Sequence, residues 1–146
     1  MLTVMDNFPV ILVIGFPVLW CSMCWLLSAL GGWLSLKEHY ESFQGPPPDA
    51  KWLHWKSMAA RRVKFFPVSY GNVLKIAYDR DALYLSVWRL FRIGHPILKL
   101  PYNEIEVETK RTLFGKVLNI CMLKNPRVQL TLYGNDKDRL IDILKE

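Results

Sequence analysis

The chain has 146 residues, with 19 Lys and Arg against 13 Asp and Glu, a net charge of +6, and 51% hydrophobic side chains. That length suits one domain rather than several, and the hydrophobic share is slightly above what a soluble domain carries. Three cysteines without a framework of spacings exclude a disulfide-stapled secreted fold and fit a reducing, cytoplasmic setting.

The apolar excess lies at the start. No charged residue occurs from Phe8 to Leu36, and every Lys and Arg comes later. Val10 to Leu30 supplies the roughly 20 helical residues that cross about 30 Å of hydrocarbon. Pro17 is tolerated in such a helix, Trp25 falls within it, and Trp33 beside Gly31-Gly32 suits the membrane interface. A cleaved signal peptide would want a basic start, whereas Met1 to Asn7 carries Asp6 alone. A re-entrant or buried core helix is the third reading. Residues 1–36 are therefore expected to be a single-pass anchor in the cell (inner) membrane. Asp6 is the sole acidic group before Lys37, so residues 37–146 hold 19 basic and 12 acidic groups, a net +7. The positive-inside rule then puts the N-terminus outside and residues 37–146 in the cytoplasm.

Trp33, Leu36, Tyr40 and Phe43 recur at helical spacing, and Gly45-Pro46-Pro47-Pro48 ends that pattern. Residues 37–50 thus read as an amphipathic stalk and a Pro-rich linker. From residue 51 the period changes to that of strands. Lys56 to Phe66 is the expected first strand, in an ambiguous stretch. Val73–Tyr78 and Leu83–Trp88 flank the turn Asp79-Arg80-Asp81-Ala82. Ile97–Leu100, Tyr102–Lys110, Lys116–Leu123 and Val128–Tyr133 follow, with Glu104, Glu106 and Glu108 on one solvated face. A helix closes the chain, with Asn135 as N-cap, Asp136 and Asp138 at its start, and Leu140, Ile141 and Leu144 as its apolar stripe.

The hairpin LKIAYDRDALYL (Leu74 to Leu85) and the run LKLPYNEIEVE (Leu98 to Glu108) resemble strands of pleckstrin-homology-like, GRAM-type domains. The run LFRIGHPILKLPYNEI is also similar to a group of short, uncharacterised bacterial membrane proteins with one N-terminal span. The resemblance implies a mainly antiparallel open sandwich or barrel over residues 51–146, closed by a C-terminal α-helix. It further implies a binding module for lipid or protein. It assigns no binding residue, because no basic phosphoinositide loop is evident between the first strands.

Cys21-x-x-Cys24 has the spacing of a metal or redox pair but lies in the apolar helix with no second pair to complete a tetrahedron. His39, His54 and His95 are scattered, and no nucleophile stands beside a base, so no enzyme activity, cofactor or metal is expected. The basic cluster Arg61, Arg62 and Lys64 is the candidate for lipid phosphate, set against the plainer account that it enforces topology. Trp88, Arg89, Phe91 and Arg92 form an aromatic-basic candidate patch for a partner. The expected partners are the lipid bilayer, a membrane protein and anionic lipid. Nucleic acid is disfavoured, since no reader motif is present and the anchor hinders access. The expected function is a non-catalytic, membrane-tethered interaction module, as in an accessory subunit of a membrane complex. The alternative is an anionic-lipid-binding domain, and an enzyme with an unrecognised site stands third.

Overall fold

The computed structural model of the protein describes residues 7–62, 67–113, 115–133 and 137–145. Helix α1 runs over Phe8–Leu30 and α2 over Trp33–Tyr40. Seven strands follow: β1 (Lys51–Arg61), β2 (Val68–Tyr78), β3 (Ala82–Val87), β4 (Leu98–Pro101), β5 (Ile105–Thr112), β6 (Gly115–Met122) and β7 (Gln129–Tyr133). Helix α3 spans Lys137–Lys145. The strands form one antiparallel sheet in the order β4-β3-β2-β1-β7-β6-β5, curled into a half-barrel.

Among the described residues, α1 is the one helix long and apolar enough to cross a membrane, with a mean hydropathy of 2.3. It continues through Pro17, and Val10, Pro17 and Trp25 are exposed along it while Leu30 is half-buried. Water does not stabilise such a surface, since each exposed Leu, Ile or Phe forgoes about 1.5–3 kcal/mol of burial. The helix is uniform in hydropathy around its circumference until its last three turns. There Trp20, Cys24, Ser28 and Gly31, spaced four, four and three residues apart, form a stripe that meets the rest of the protein.

Gly32 breaks the helix in a left-handed conformation (φ +82°), and α2 then turns into the half-barrel. Its period-four face, Trp33, Leu36 and Tyr40, lies in the same core as Met58, Leu74, Ile76, Leu83, Leu85, Ile120 and Leu130. Trp33, expected at the membrane interface, is instead wholly buried, because its indole N–H donates to the Pro96 carbonyl at 2.9 Å inside that core. Phe43, the last member of the periodic series, is exposed beyond the end of α2.

The first strand lies five residues earlier than its sequence expectation, at Lys51–Arg61. Its pairing with β2 shifts register between Leu53 and Lys56 and again between Lys56 and Met58, and such bulges erase the period-two signal. In β2 the start at Val68 is hidden by Gly71 and by Asn72, which sits at φ 59°. Tyr102–Glu104 forms a single 3-10 turn before β5 rather than part of the strand. Of the face Ile105, Val107 and Thr109, only Ile105 is buried, and β5 is the edge strand of the sheet among the described residues. Leu140 of α3 is buried, and Ile141 and Leu144 pack against the core. Asn135, Asp136, Phe65, Phe66 and Lys64 lie outside the described residues.

Candidate membrane-facing site

Three connections converge on the last turns of α1 and on the Gly32 break that follows them. The β1–β2 connection approaches through Arg62: a methyl group on Gly32 would stand 3.0 Å from the Arg62 Cβ and 2.7 Å from Val128 Cγ2. Val128 belongs to the β6–β7 connection, which is tied down again where the Asn125 side-chain amide donates to Ser35 Oγ at 2.6 Å. The β3–β4 connection makes the longest contact. Trp20 Nε1–H donates to the Leu90 carbonyl at 3.0 Å, the Ser28 hydroxyl donates to the Gly94 carbonyl, and the Trp20 and Phe91 rings lie 5.2 Å apart. Gly94 (φ +72°) permits this approach, since a Cβ there would sit 3.3 Å from Trp25 Cα.

Beneath the contact lies a buried polar pair. His95 Nδ1–H donates to the Ile93 carbonyl at 3.0 Å, which leaves Nε2 to accept the Tyr70 hydroxyl at 2.9 Å. Burial lowers the pKa of His95 and raises that of Tyr70, so both are held neutral at pH 7. The Trp33 ring meets both at a steep angle, edge-on to His95 (centroids 5.3 Å, 65°) and tilted against Tyr70 (5.4 Å, 51°). The polar ring atoms of His95 and the Tyr70 hydroxyl thus have partners, and the pair ties the β3–β4 connection to β2.

The sequence candidates are distributed around this junction. Arg61 is exposed at the end of β1 and donates from Nη2 to Gln129 Oε1 at 2.6 Å. Arg62 is exposed beside Gly32, and Lys64 falls outside the described residues. Trp88, Arg89 and Arg92 are exposed on the β3–β4 connection, whereas Phe91 is half-buried against Trp20. Exposed Arg127 precedes Val128 on the third connection. The two groups read from sequence as a lipid cluster and a separate partner patch therefore lie on connections that meet the same helix, one at Gly32 and the other between Trp20 and Ser28. Ser28, Gly94 and the Trp20–Leu90 contact escaped sequence reading; pairings across some 70 positions leave no periodic trace.

A second concavity lies at the opposite end of β2 and β3, lined by Asp49, Lys51, Tyr78, Asp79, Tyr102 and Arg139 among others, with a volume of about 730 Å³. Asp79 organises it by accepting the amides of Asp81 and Ala82, each at 2.8 Å, and the Tyr84 hydroxyl at 3.0 Å. Burial raises the Asp79 pKa, but these donors and Lys99 outweigh it, so the net shift is downward. Its charges are mixed in sign, and no group of three His, Cys, Asp or Glu among the described residues is placed to hold a metal. The three cysteines are free thiols. Comparison with protein families finds none that matches the chain, and comparison with curated proteins likewise finds none.

Proposed function

We propose that the protein is a non-catalytic, membrane-tethered interaction module, inserted by α1 with its half-barrel on the cytoplasmic face. The observation that carries this reading is that exposed Arg61, Arg62 and Arg127 lie on segments that meet the foot of an apolar helix at Gly32, with exposed Arg89 and Arg92 on the connection that meets the same helix at Trp20. Each cation held near an anionic leaflet contributes about 1 kcal/mol, and the tether keeps all of them there. The strand order and the closing helix support a pleckstrin-homology-like assignment for the half-barrel. The arginines seat it on headgroup phosphates, so anionic lipid is a ligand of the tethered domain rather than its sole task.

The outer edge of β5, unpaired among the described residues, favours a protein partner as well. Glu106 and Glu108 lie exposed along that strand, and Leu113 at its hairpin tip is 99% exposed. An accessory subunit of a membrane complex uses such an edge. The test is extraction of the full chain in mild detergent with analysis of bound lipid and protein. Arg61→Glu with Arg62→Glu is expected to strip anionic lipid while leaving any stoichiometric protein partner. Unchanged lipid retention by that variant refutes the seating role, and a bare, monomeric parent chain refutes the partner role.

A further inference from the structure

The β3–β4 connection packs surprisingly far up the helix. From Phe8 to Trp20 is twelve residues, or about 18 Å at about 1.5 Å per residue. A bilayer's hydrocarbon is about 30 Å thick, so a leaflet boundary placed at the Leu90 contact leaves the span about 12 Å short. Asp6 and Asn7 close the apolar run on the other side. Tilting α1 only shortens its reach along the membrane normal. In addition, Met23, Trp25 and Leu26 are 46–57% exposed below Trp20, on the helix faces that the connection does not cover. Lipid that covers those side chains also reaches the connection.

The connection is built for such surroundings. Trp88, Leu90 and Ile93 are 46%, 59% and 41% exposed, an apolar set left about half uncovered by the described residues. Its backbone carbonyls are occupied almost throughout. Phe91, Arg92 and His95 amides take the Trp88, Arg89 and Arg92 carbonyls. Side chains take four others: Trp20 for Leu90, His95 for Ile93, Ser28 for Gly94 and Trp33 for Pro96. An aqueous loop needs no such provision, because water satisfies its carbonyls. Irregular backbone at membrane depth needs it, since each unpaired group there costs several kcal/mol.

Resting on the reading of α1 as a span, we infer that residues 88–94 form a second membrane-inserted element, a wedge dipping beneath the headgroups beside α1. The apolar side chains of Trp88, Leu90 and Ile93 face lipid. Arg89 and Arg92 extend their guanidinium groups back to the phosphates, which sets the wedge on the headgroup side of the hydrocarbon rather than at its middle. The leaflet thins locally around it. The patch that the sequence offers to a protein partner is thereby assigned to the bilayer.

The test uses the full chain with Cys21, Cys24 and Cys121 replaced by Ala, reconstituted in phosphatidylethanolamine–phosphatidylglycerol vesicles. Single nitroxide labels are placed through Leu90→Cys, Ile93→Cys, Ile14→Cys and Leu113→Cys, all exposed sites that tolerate a new side chain. Collision with oxygen is compared with collision with a water-soluble nickel chelate. Labels at 90 and 93 are expected to favour oxygen, as the label at 14 does, while the label at 113 favours the chelate. If 14 favours oxygen but 90 and 93 follow 113, the wedge is overturned and the span stands. If 14 also favours the chelate, the span fails and the wedge with it. Trp88→Cys repeats the measurement should the label at 90 disturb the contact with Trp20.

Discussion

Gly32 joins the apolar helix to the half-barrel, and replacing it tests the junction most directly. At φ +82° an L-residue pays about 1–2 kcal/mol for the left-handed conformation. Gly32→Ala also brings its methyl group to 2.7 Å and 3.0 Å from the two Val128 methyls and to 3.0 Å from Arg62 Cβ. Overpacking of that kind costs about 1–3 kcal/mol, since Val128 is wholly buried and has little room to retreat. The two contributions together predict a loss of about 2–5 kcal/mol, a large part of a stability that for most domains is about 5–15 kcal/mol. Reversible denaturant unfolding of the full chain in mild detergent, followed by tryptophan fluorescence, measures it. Gly32→Asn separates the contributions, because Asn accepts the conformation but keeps the Cβ. In a Val128→Ala background the clash with the valine methyls disappears, so Gly32→Ala there is expected to cost about 1–3 kcal/mol less. A Gly32→Ala penalty under about 0.5 kcal/mol, or one unchanged by Val128→Ala, refutes the close approach on which the junction rests.

Further predictions concern the groups packed around it. Trp33→Phe leaves the Pro96 carbonyl without its donor and should cost about 1–3 kcal/mol, whereas Trp33→Ala adds a cavity and should cost about 3–5 kcal/mol; a negligible loss in Trp33→Phe would dismiss the hydrogen bond, and equal losses would dismiss the cavity. Because burial depresses the folded-state pKa of His95, the unfolded chain takes up a proton first as the pH falls below about 6.5. Stability present above that pH is therefore lost as the pH drops through the folded-state value, and His95→Gln should flatten this slope while lowering stability at neutral pH. A wild-type slope retained in the variant would assign the acid sensitivity to other groups. Asp79→Asn removes the negative charge beside Tyr84, whose pKa, pushed up to about 12 by burial and by that carboxylate, should move down in an ultraviolet titration. The folded-state pKa of Asp79 is lowered, so its contribution is present above about pH 3.9 and is lost under stronger acid.

The parts of the fold legible in the sequence are those with short-range signals. The uncharged run of α1, the turn at Asp79–Ala82 and the stripe of Leu140, Ile141 and Leu144 depend on residues a few positions apart. The first strand was displaced because two bulges break the alternation of β1, and β2 began earlier because Asn72 interrupts its pattern. Periodicity located the apolar face of α2 without revealing where that face goes. A helix that follows a membrane span is equally plausible as a stalk or as a core element, and only the docking of Trp33 against Pro96, Tyr70 and His95 decides between them. The arginines were identifiable as candidates individually. Their placement along one helix was not, because the connections that carry Arg62 and Arg92 reach Gly32 and Trp20 through folds of the chain that composition does not encode.

The burial of α2 also fixes an order of events during synthesis. Trp33, Leu36 and Tyr40 leave the ribosome well before the strands that will enclose them; Tyr40 awaits the Lys124 amide that its hydroxyl accepts, and Trp33 awaits Pro96. The half-barrel thus closes late around a segment whose neighbour, α1, has long since needed an apolar environment of its own. Contacts so distant in sequence make closure slow, and the interval leaves a tryptophan, a leucine and a tyrosine uncovered at the foot of the helix. A version lacking residues 1–40 therefore loses this central pillar together with the apolar helix.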